Sequence, residues 1–274
     1  MQTLVVGAGA MGRWVGRTVP GDVAFADTDV AAAEAAADEC DGRAVSLDSA
    51  DGEDDEPTDE RFDALCFAVP MGVVRAAIAE HAHRAERAVF DVTGTMETPV
   101  EAMREHAADC ERVSFHPLFA PANAPGNVPL VADSPGPVTD RIREAMTEAG
   151  NRLFETTPAE HDEAMSTVQA KTHAAVLAFA LAADEVDERF HTPISAGLDG
   201  LAAQVTGGDA HVYAGIQAAF DGADEVADAA RRIADADEPT FEQLYREAGS
   251  PQAGSPLTDS TQTQTDDRDD DDTT

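Results

Sequence analysis

The first twelve residues constrain the fold of this chain more than any other segment does. They read MQTLVVGAGAMG, an apolar run rich in β-branched residues that leads directly into glycines at positions 7, 9 and 12. In a strand–turn–helix unit, Gly7 lets the chain turn sharply, Gly9 lets a diphosphate approach the backbone, and Gly12 lets the helix pack closely on the strand. The segment therefore predicts an α/β sheet whose first turn binds a dinucleotide at the positive end of a helix.

An acidic residue follows this turn at a suitable distance. Asp27 ends the second predicted strand, about 20 residues beyond the first glycine, where an acid accepts hydrogen bonds from the adenosine ribose and repels a 2′-phosphate. We therefore expect NAD rather than NADP, with Asp29 as a neighbouring substitute for Asp27; the alternative is an ordinary surface aspartate. The other expected cofactor-binding residues belong to the turn or follow two later strands: Gly7, Ala8, Gly9, Ala10, Met11, Gly12, Val69, Pro70 and Thr93.

The chain changes character near residue 157. Strand-like and helix-like segments alternate before it, which predicts a nucleotide-binding domain over residues 1–156, with a parallel sheet and helices on both faces. Thr157, Pro158 and Glu160 then form a capping box that begins a long helix, predicted to end near Val186, and no strand signal follows. We expect an all-helical domain over 157–250 and a disordered acidic tail over 251–274, and we interpret residues 48–63 as an acidic surface loop.

The charge balance of the chain excludes several classes of partner. With 54 acidic and 18 basic residues the formal net charge is −36, so electrostatic binding to nucleic acid or to an anionic membrane is unfavourable. Lys171 is the only lysine, and this acid-rich, lysine-poor composition resembles that of proteins from salt-accumulating halophiles. Cys40, Cys66 and Cys110 are odd in number and follow no ligand spacing, which predicts neither a disulfide framework nor a metal site. Without a basic leader or an apolar run of membrane-spanning length, we expect a cytoplasmic protein.

The long helix carries a segment that requires burial. Residues 174–182 are apolar on every side of the helix. A second subunit would cover such a surface, so we expect a homodimer formed through the helical domain.

The segment FHPLFAP contains the first candidate catalytic group. His116 follows a short predicted strand and precedes two prolines and several apolar residues. A neutral imidazole at this position can accept a proton from a hydroxyl group as hydride leaves the carbon that bears it. The alternative is a histidine that bonds a carbonyl group of its own loop. Thr95, which follows the preceding strand, can offer a hydroxyl to the substrate.

The long helix provides a second candidate group. At 100° per residue, Asp162, Met165, Gln169 and His173 fall on one face. We expect Gln169 and His173, and with them Asp162, to bind substrate, although a polar helix face can also be merely solvated. Lys171 points toward the opposite side.

At these segments the chain resembles the prephenate/arogenate dehydrogenase family of tyrosine biosynthesis. Four motifs occur in the family's order over most of residues 1–250. They are the glycine turn, His116-Pro117, Glu160-His161-Asp162 with His173 eleven residues beyond it, and the later PISAGLDGLAA. The resemblance implies a Rossmann domain followed by an all-α domain of the 6-phosphogluconate-dehydrogenase-like type. It also implies oxidative decarboxylation of prephenate to 4-hydroxyphenylpyruvate with NAD, in which His116 interacts with the 4-hydroxyl and His173 binds substrate.

Two departures from the family pattern affect the expected substrate. Residues 94–96 replace a common Ser and Lys, so Thr93 or Thr95 must supply any hydroxyl. The segment 193–205 contains no arginine to hold a substrate carboxylate, which leaves Arg189, Arg246 or a base from a partner subunit. Arogenate thus stays open as the substrate. The sequence is also compatible with a β-hydroxyacid or imine-type dehydrogenase that uses Lys171, and with a non-catalytic NAD-binding regulator.

Overall fold

A computed structural model describes residues 1–47 and 60–250. Within these ranges the chain forms a single eight-stranded sheet in the order β3-β2-β1-β4-β5-β6-β7-β8. The sequence predicts strands at 3–6, 23–26, 44–47, 64–68, 88–92, 113–115, 129–132 and 152–155, and each has a counterpart in this sheet. The strands are β1 Gln2–Val6, β2 Asp22–Ala26, β3 Arg43–Ala44, β4 Phe62–Phe67, β5 Ala85–Asp91, β6 Glu111–Phe115, β7 Asn127–Ser134 and β8 Arg152–Glu155.

Helices alternate with these strands and then continue without them. The first five are α1 Ala10–Thr18, α2 Val30–Glu39, α3 Val74–His81, α4 Glu97–His106 and α5 Pro137–Glu148. The helices after the last strand are α6 Pro158–Met165, α7 Thr172–Ala182, α8 Pro193–Thr206, α9 Ala210–Ala219, α10 Ala223–Ala234 and α11 Glu238–Ala248. The predicted order, a sheet with helices followed by helices alone, is confirmed.

The sheet buries both of its faces, as a mainly parallel sheet does. One face packs against α1, α2 and α5, with Phe25, Phe90 and Phe115 in its core. The other face packs against α3 and α4, with Phe67 and Met103 in its core. The helices on both faces leave the carboxyl edge of the central strands as the place where loops can form a site.

Strand β7 differs from the predicted parallel arrangement, because it runs antiparallel to β6. The chain between these strands contains a short 3-10 turn at Pro121–Asn123 and no crossover helix. A return without a crossover helix places the next strand antiparallel. Strand β8 then pairs in parallel with β7.

The long predicted helix is divided by a π-helical segment at Ser166–Lys171, between α6 and α7. Its beginning is as predicted, since the Thr157 side chain accepts a hydrogen bond from the backbone N–H of Glu160 at 3.2 Å. It ends at Ala182 rather than near Val186, because Ala183 has an extended backbone. A π-helical turn contains an extra residue and rotates the side chains that follow it.

By its contacts the chain forms two compact units, Met1–Val226 and a second unit from Ala227 onward. The first contains the sheet and the helices through α9, and the second contains α11. The expected domain boundary at 156/157 lies between the end of β8 and the start of α6 and stays a prediction. The tail expected at 251–274 and most of the acidic loop expected at 48–63 lie outside the described residues. In the described ranges, no helix has both the length and the apolar character of a membrane span.

Candidate active site

The glycine turn forms a cradle at the N-terminus of α1. Gly7 has φ +103°, and a Cβ on it would overlap the carbonyl oxygen of Ala68. A Cβ on Gly12 would overlap the carbonyl oxygen of Gly7, whereas one on Gly9 would meet no atom within 4 Å. Gly9 is also the N-cap of α1, and no side chain caps this helix end. The open space at Gly9, beside uncapped helical N–H groups, suits a diphosphate.

Asp27 lies directly beside this turn. Its Oδ2 accepts a hydrogen bond from the backbone N–H of Ala8 at 2.7 Å, and its Oδ1 accepts one from the N–H of Asp29 at 2.9 Å. Asp29, the neighbouring acid that could have taken its place, instead caps α2 by accepting from Ala31 and Ala32. The carboxylate next to the turn is therefore that of Asp27.

Loops from the neighbouring strands meet at the same edge of the sheet. The carbonyl of Ala68, just after β4, limits the space at Gly7. Gly94, after β5, approaches Met71 so closely that an added Cβ would lie 2.7 Å from its Sδ, and Met71 also lies beside Gly215 of α9. Helix α9 thus lies beside the loop in which Met71 follows Val69 and Pro70.

Two buried histidines lie in contact at this edge. Nδ1 of His116, just after β6, is 2.9 Å from Nε2 of His161 on α6. Nδ1 of His161 is in turn 2.7 Å from Oδ1 of Asp162. Asp162 accepts hydrogen bonds from the backbone N–H groups of Met96 at 3.0 Å and Glu97 at 3.2 Å, at the start of α4. We refer to His116, His161 and Asp162 as the histidine relay.

Asp162, which the sequence predicts to bind substrate, contacts the protein through both of its oxygens. They accept hydrogen bonds from the start of α4, and Oδ1 also lies against His161. Burial alone would raise the pKa of its carboxyl group, but the hydrogen bonds from His161, Met96 and Glu97 lower it below its usual value. His161 had no role assigned from the sequence; its place in the motif Glu160-His161-Asp162 was the available signal.

The other side of His116 faces Gln169. The amide nitrogen of Gln169 lies 3.4 Å from Nε2 of His116. Burial, and secondarily the neighbouring His161, lowers the pKa of His116 to about 3. The imidazole is therefore neutral at neutral pH, as required of a group that accepts a proton.

Three of the residues expected to bind substrate each have a buried polar atom without a hydrogen-bond partner among the described residues. These atoms are Oε1 of Gln169, Nδ1 of His173 and Oγ1 of Thr95. Burial also lowers the pKa of His173, whose ring packs edge-on against Tyr213 at 4.8 Å. Because a buried polar atom without a partner costs free energy, such atoms are candidates for contact with a ligand.

Thr93 and Asp91 form a hydrogen-bonded pair at the end of β5. Both the N–H and the hydroxyl of Thr93 donate to Oδ2 of Asp91, at 3.0 and 2.5 Å. The Thr93 hydroxyl is thus directed at Asp91, whereas that of Thr95 has no hydrogen-bond partner among the described residues. Burial raises the pKa of Asp91 to about 7, against the hydrogen bonds from Thr93 that lower it. Asp91 was not identified from the sequence, because it ends an otherwise apolar strand.

The candidate cations named from the sequence are each paired with an acid. Lys171, the catalytic group expected of a β-hydroxyacid dehydrogenase, forms an ion pair with Glu225. Arg189 bonds Asp187 at 2.9 Å. Arg246, in the second unit, bonds Glu242 at 2.7 Å. Within the described ranges, no group of three His, Cys, Asp or Glu residues is arranged to hold a metal ion.

The fold, the glycine turn and the histidine relay together define a class of protein. It is the class of nucleotide-dependent dehydrogenases in which helices follow a Rossmann sheet. A 4-amino-4-deoxyprephenate dehydrogenase of Streptomyces pristinaespiralis is 32% identical over 238 residues, which cover 80% of this chain and 77% of that protein. The chain belongs to the prephenate/arogenate dehydrogenase family.

Two more distant proteins are also similar to the chain. A protein of Methanocaldococcus jannaschii named "Probable arogenate/prephenate dehydrogenase" is 25% identical over 173 residues, which cover 58% of this chain and 39% of that protein. The crystal structure of prephenate dehydrogenase from A. aeolicus in complex with hydroxyphenyl propionate and NAD+ has the same fold. It superposes with a TM-score of 0.66 at 16% identity, and the match covers 91% of this chain and 92% of that one. No model of a protein family matches the sequence.

Proposed function

We propose that this dehydrogenase catalyses the NAD-dependent oxidative decarboxylation of prephenate to 4-hydroxyphenylpyruvate. The observation that carries the proposal is the neutral, buried imidazole of His116 at the carboxyl edge of the sheet that bears the glycine turn. Arogenate and 4-amino-4-deoxyprephenate are the alternative substrates, since relatives of the chain are named for them.

The residues of the turn suit the cofactor. Ala8, Ala10 and Met11 lie in the glycine turn or at the N-terminus of α1. The open space at Gly9 accommodates the diphosphate. Asp27 lies where the adenosine ribose binds. A carboxylate there favours NAD over NADP because it repels a 2′-phosphate. Val69, Pro70 and Thr93 follow the adjacent strands and border the position of the nicotinamide. When bound, NAD supplies the acceptor for a hydride ion.

The reaction balances without a net gain or loss of protons. The C4–H bond of the substrate ring breaks with its electron pair, which leaves as hydride, and the bond from C1 to the ring carboxylate breaks to release CO2. The electron pair of this second bond completes the aromatic ring. His116 accepts the hydrogen bond, and transiently the proton, of the 4-hydroxyl while positive charge develops at C4, and the product retains that proton.

Substrate contacts are assigned to the buried polar atoms without partners. The hydroxyl of Thr95, the amide oxygen of Gln169 and Nδ1 of His173 each gain a hydrogen-bond partner when substrate is bound. The backbone N–H groups of Met96 and Glu97 hold Asp162, so we assign this residue to the support of the site and not to contact with substrate.

A single assay tests the proposed function. Purified protein in concentrated KCl, which screens the repulsion among its acidic groups, is mixed with NAD and either prephenate, arogenate or 4-amino-4-deoxyprephenate, and NADH absorbance is followed. Turnover highest with prephenate supports the proposal, and a higher kcat/KM with another of the three reassigns the substrate. NAD binding without turnover on any of them would favour the non-catalytic regulator.

Replacing Gly9 with alanine is expected to weaken NAD binding by tenfold or more, about 1.4 kcal/mol. The backbone of Gly9 has φ −69°, which alanine adopts readily, and the new methyl group enters the space assigned to the diphosphate. Isothermal titration calorimetry measures the effect, with circular dichroism as the control for folding. The matched variant Gly12→Ala overlaps the Gly7 carbonyl, and we expect it to lower the free energy of unfolding by about 1–3 kcal/mol. Unchanged NAD affinity in Gly9→Ala would contradict this placement.

We further propose a cytoplasmic homodimer, with residues 1–156 as the nucleotide-binding domain and 157–250 as the helical substrate domain. Of the residues of the apolar helix α7, only Val176 is buried. Leu181 is 88% exposed, and Phe190 and Ile194 on the following segments are 72% and 77% exposed. A second copy would cover this surface, whereas isolated apolar side chains on a monomer need no partner.

Sedimentation velocity is expected to show a dimer for the wild-type protein and a monomer for the double variant Leu181→Glu with Ile194→Glu. A wild-type monomer in concentrated salt would refute the dimer.

A further inference from the structure

The start of α4 fixes the direction of the hydrogen bonds in the histidine relay. The backbone N–H groups of Met96 and Glu97 can only donate, so the two oxygens of Asp162 act as acceptors toward them. Oδ1 of Asp162 is also 2.7 Å from Nδ1 of His161. An ionised carboxylate has no proton to give, so Nδ1 of His161 carries the hydrogen in this bond.

The hydrogen on Nδ1 of His161 determines which ring nitrogen of His116 carries a hydrogen. A neutral imidazole has one N–H group, so a hydrogen on Nδ1 of His161 leaves its Nε2 as an acceptor. That acceptor is 2.9 Å from Nδ1 of His116, which must then be the donor. The remaining nitrogen of His116, Nε2, has no hydrogen.

The opposite end of the relay agrees with this assignment. The amide nitrogen of Gln169, a donor, lies 3.4 Å from Nε2 of His116. With the amide in this orientation, its N–H makes a long, weak hydrogen bond to a bare nitrogen, and the substrate hydroxyl can replace that bond. A second carboxyl group lies near the relay, since the charge of Asp162 raises the pKa of Asp91.

We propose that His161 and Asp162 are positioning residues that hold a hydrogen on Nδ1 of His116, which keeps its Nε2 bare as the acceptor facing the substrate. The assignment of Nε2 as the proton acceptor rests on the proposed function; the position of the hydrogen does not. In the opposite tautomer, His116 would present an N–H group to the 4-hydroxyl and could not take its proton. In a serine protease triad, loss of the correct histidine tautomer lowers kcat by about 10⁴-fold.

Nitrogen-15 NMR of the wild-type protein tests the hydrogen position directly. The protein is labelled at its histidine side chains, and the His116 signals are assigned by their loss in His116→Gln. We expect a protonated Nδ1 and an unprotonated Nε2. An unprotonated Nδ1 on His116 would overturn the inference, including the case in which a cationic His161 donates to it. This spectrum requires no substrate, so its outcome is independent of whether the enzyme turns over prephenate.

Two variants at position 161 separate positioning from packing. In His161→Gln the carboxylate of Asp162 selects the amide N–H, which directs the amide oxygen at Nδ1 of His116 and preserves the order of donors and acceptors. His161→Leu fills similar space but offers no acceptor. We expect kcat to fall by about 100-fold in the leucine variant and by less than about tenfold in the glutamine variant, with unchanged affinity for NAD. An equal fall in kcat in the two variants would show that His161 serves only packing. If the leucine variant does not fold, the NMR spectrum of the wild-type protein still tests the position of the hydrogen on His116.

Discussion

Replacing His116 with asparagine is expected to lower kcat by about 10²–10⁴-fold while leaving NAD affinity unchanged. We propose that His116 acts as a base; burial lowers its pKa to about 3, which keeps the imidazole neutral, and its Nδ1 lies 2.9 Å from Nε2 of His161. Asparagine is too weak a base to take the 4-hydroxyl proton as hydride leaves C4. Steady-state kinetics with the preferred substrate measures the loss, and calorimetric titration with NAD measures the affinity.

The control for this variant is His83→Asn. His83 is exposed and precedes β5, at the amino edge of the sheet, so its replacement should leave both kcat and NAD affinity unchanged. Turnover retained by His116→Asn would refute the proton-accepting role. Loss of NAD binding in that variant would instead indicate that His116 supports the cofactor site.

Replacing Asp91 with asparagine is expected to stabilise the protein near neutral pH. Burial raises the pKa of this carboxyl from 3.8 to about 7 in the folded state. Between these two values the folded state binds more protons than the unfolded state, so the contribution of Asp91 to stability is lost as the pH rises. The difference in pKa corresponds to about 4 kcal/mol at pH values above 7, and asparagine cannot ionise.

The measurement is urea denaturation of both proteins at constant KCl concentration from pH 4 to pH 8. Because many other acids also titrate, the informative quantity is the difference in free energy of unfolding between variant and wild type. We expect this difference to increase from pH 4 to about pH 7 in favour of asparagine. Asparagine also retains an oxygen that can accept from Thr93, as Oδ2 of Asp91 does. A difference that is independent of pH would show that the Asp91 carboxyl is not perturbed.

The sheet and its glycine turn could be predicted because their signals are local. The turn needs three glycines within six residues, and each predicted strand has its counterpart in the sheet. The antiparallel β7 was not predicted, because its direction depends on the absence of a helix between β6 and β7 and not on the composition of the strand itself.

The site could be predicted only in part because its contacts join distant segments. His116 and Gln169 were identified from their flanking residues, and the structure brings their side chains together. The contact of His116 with His161 joins residues 45 positions apart, and that of Met96 with Asp162 joins residues 66 apart. Helical periodicity could not reveal these pairs, and the π-helical turn at Ser166–Lys171 changes the face on which His173 lies.

The hydrogen bonds from Met96 and Glu97 to Asp162 also bear on the order in which the protein matures during translation. The glycine turn and Asp27 emerge from the ribosome early, whereas His161, Asp162 and Gln169 emerge only after the whole sheet. A nascent chain would therefore contain the described strands of the sheet before His161 could contact His116. The contacts of the histidine relay can form only late in synthesis, when α6 reaches the start of α4.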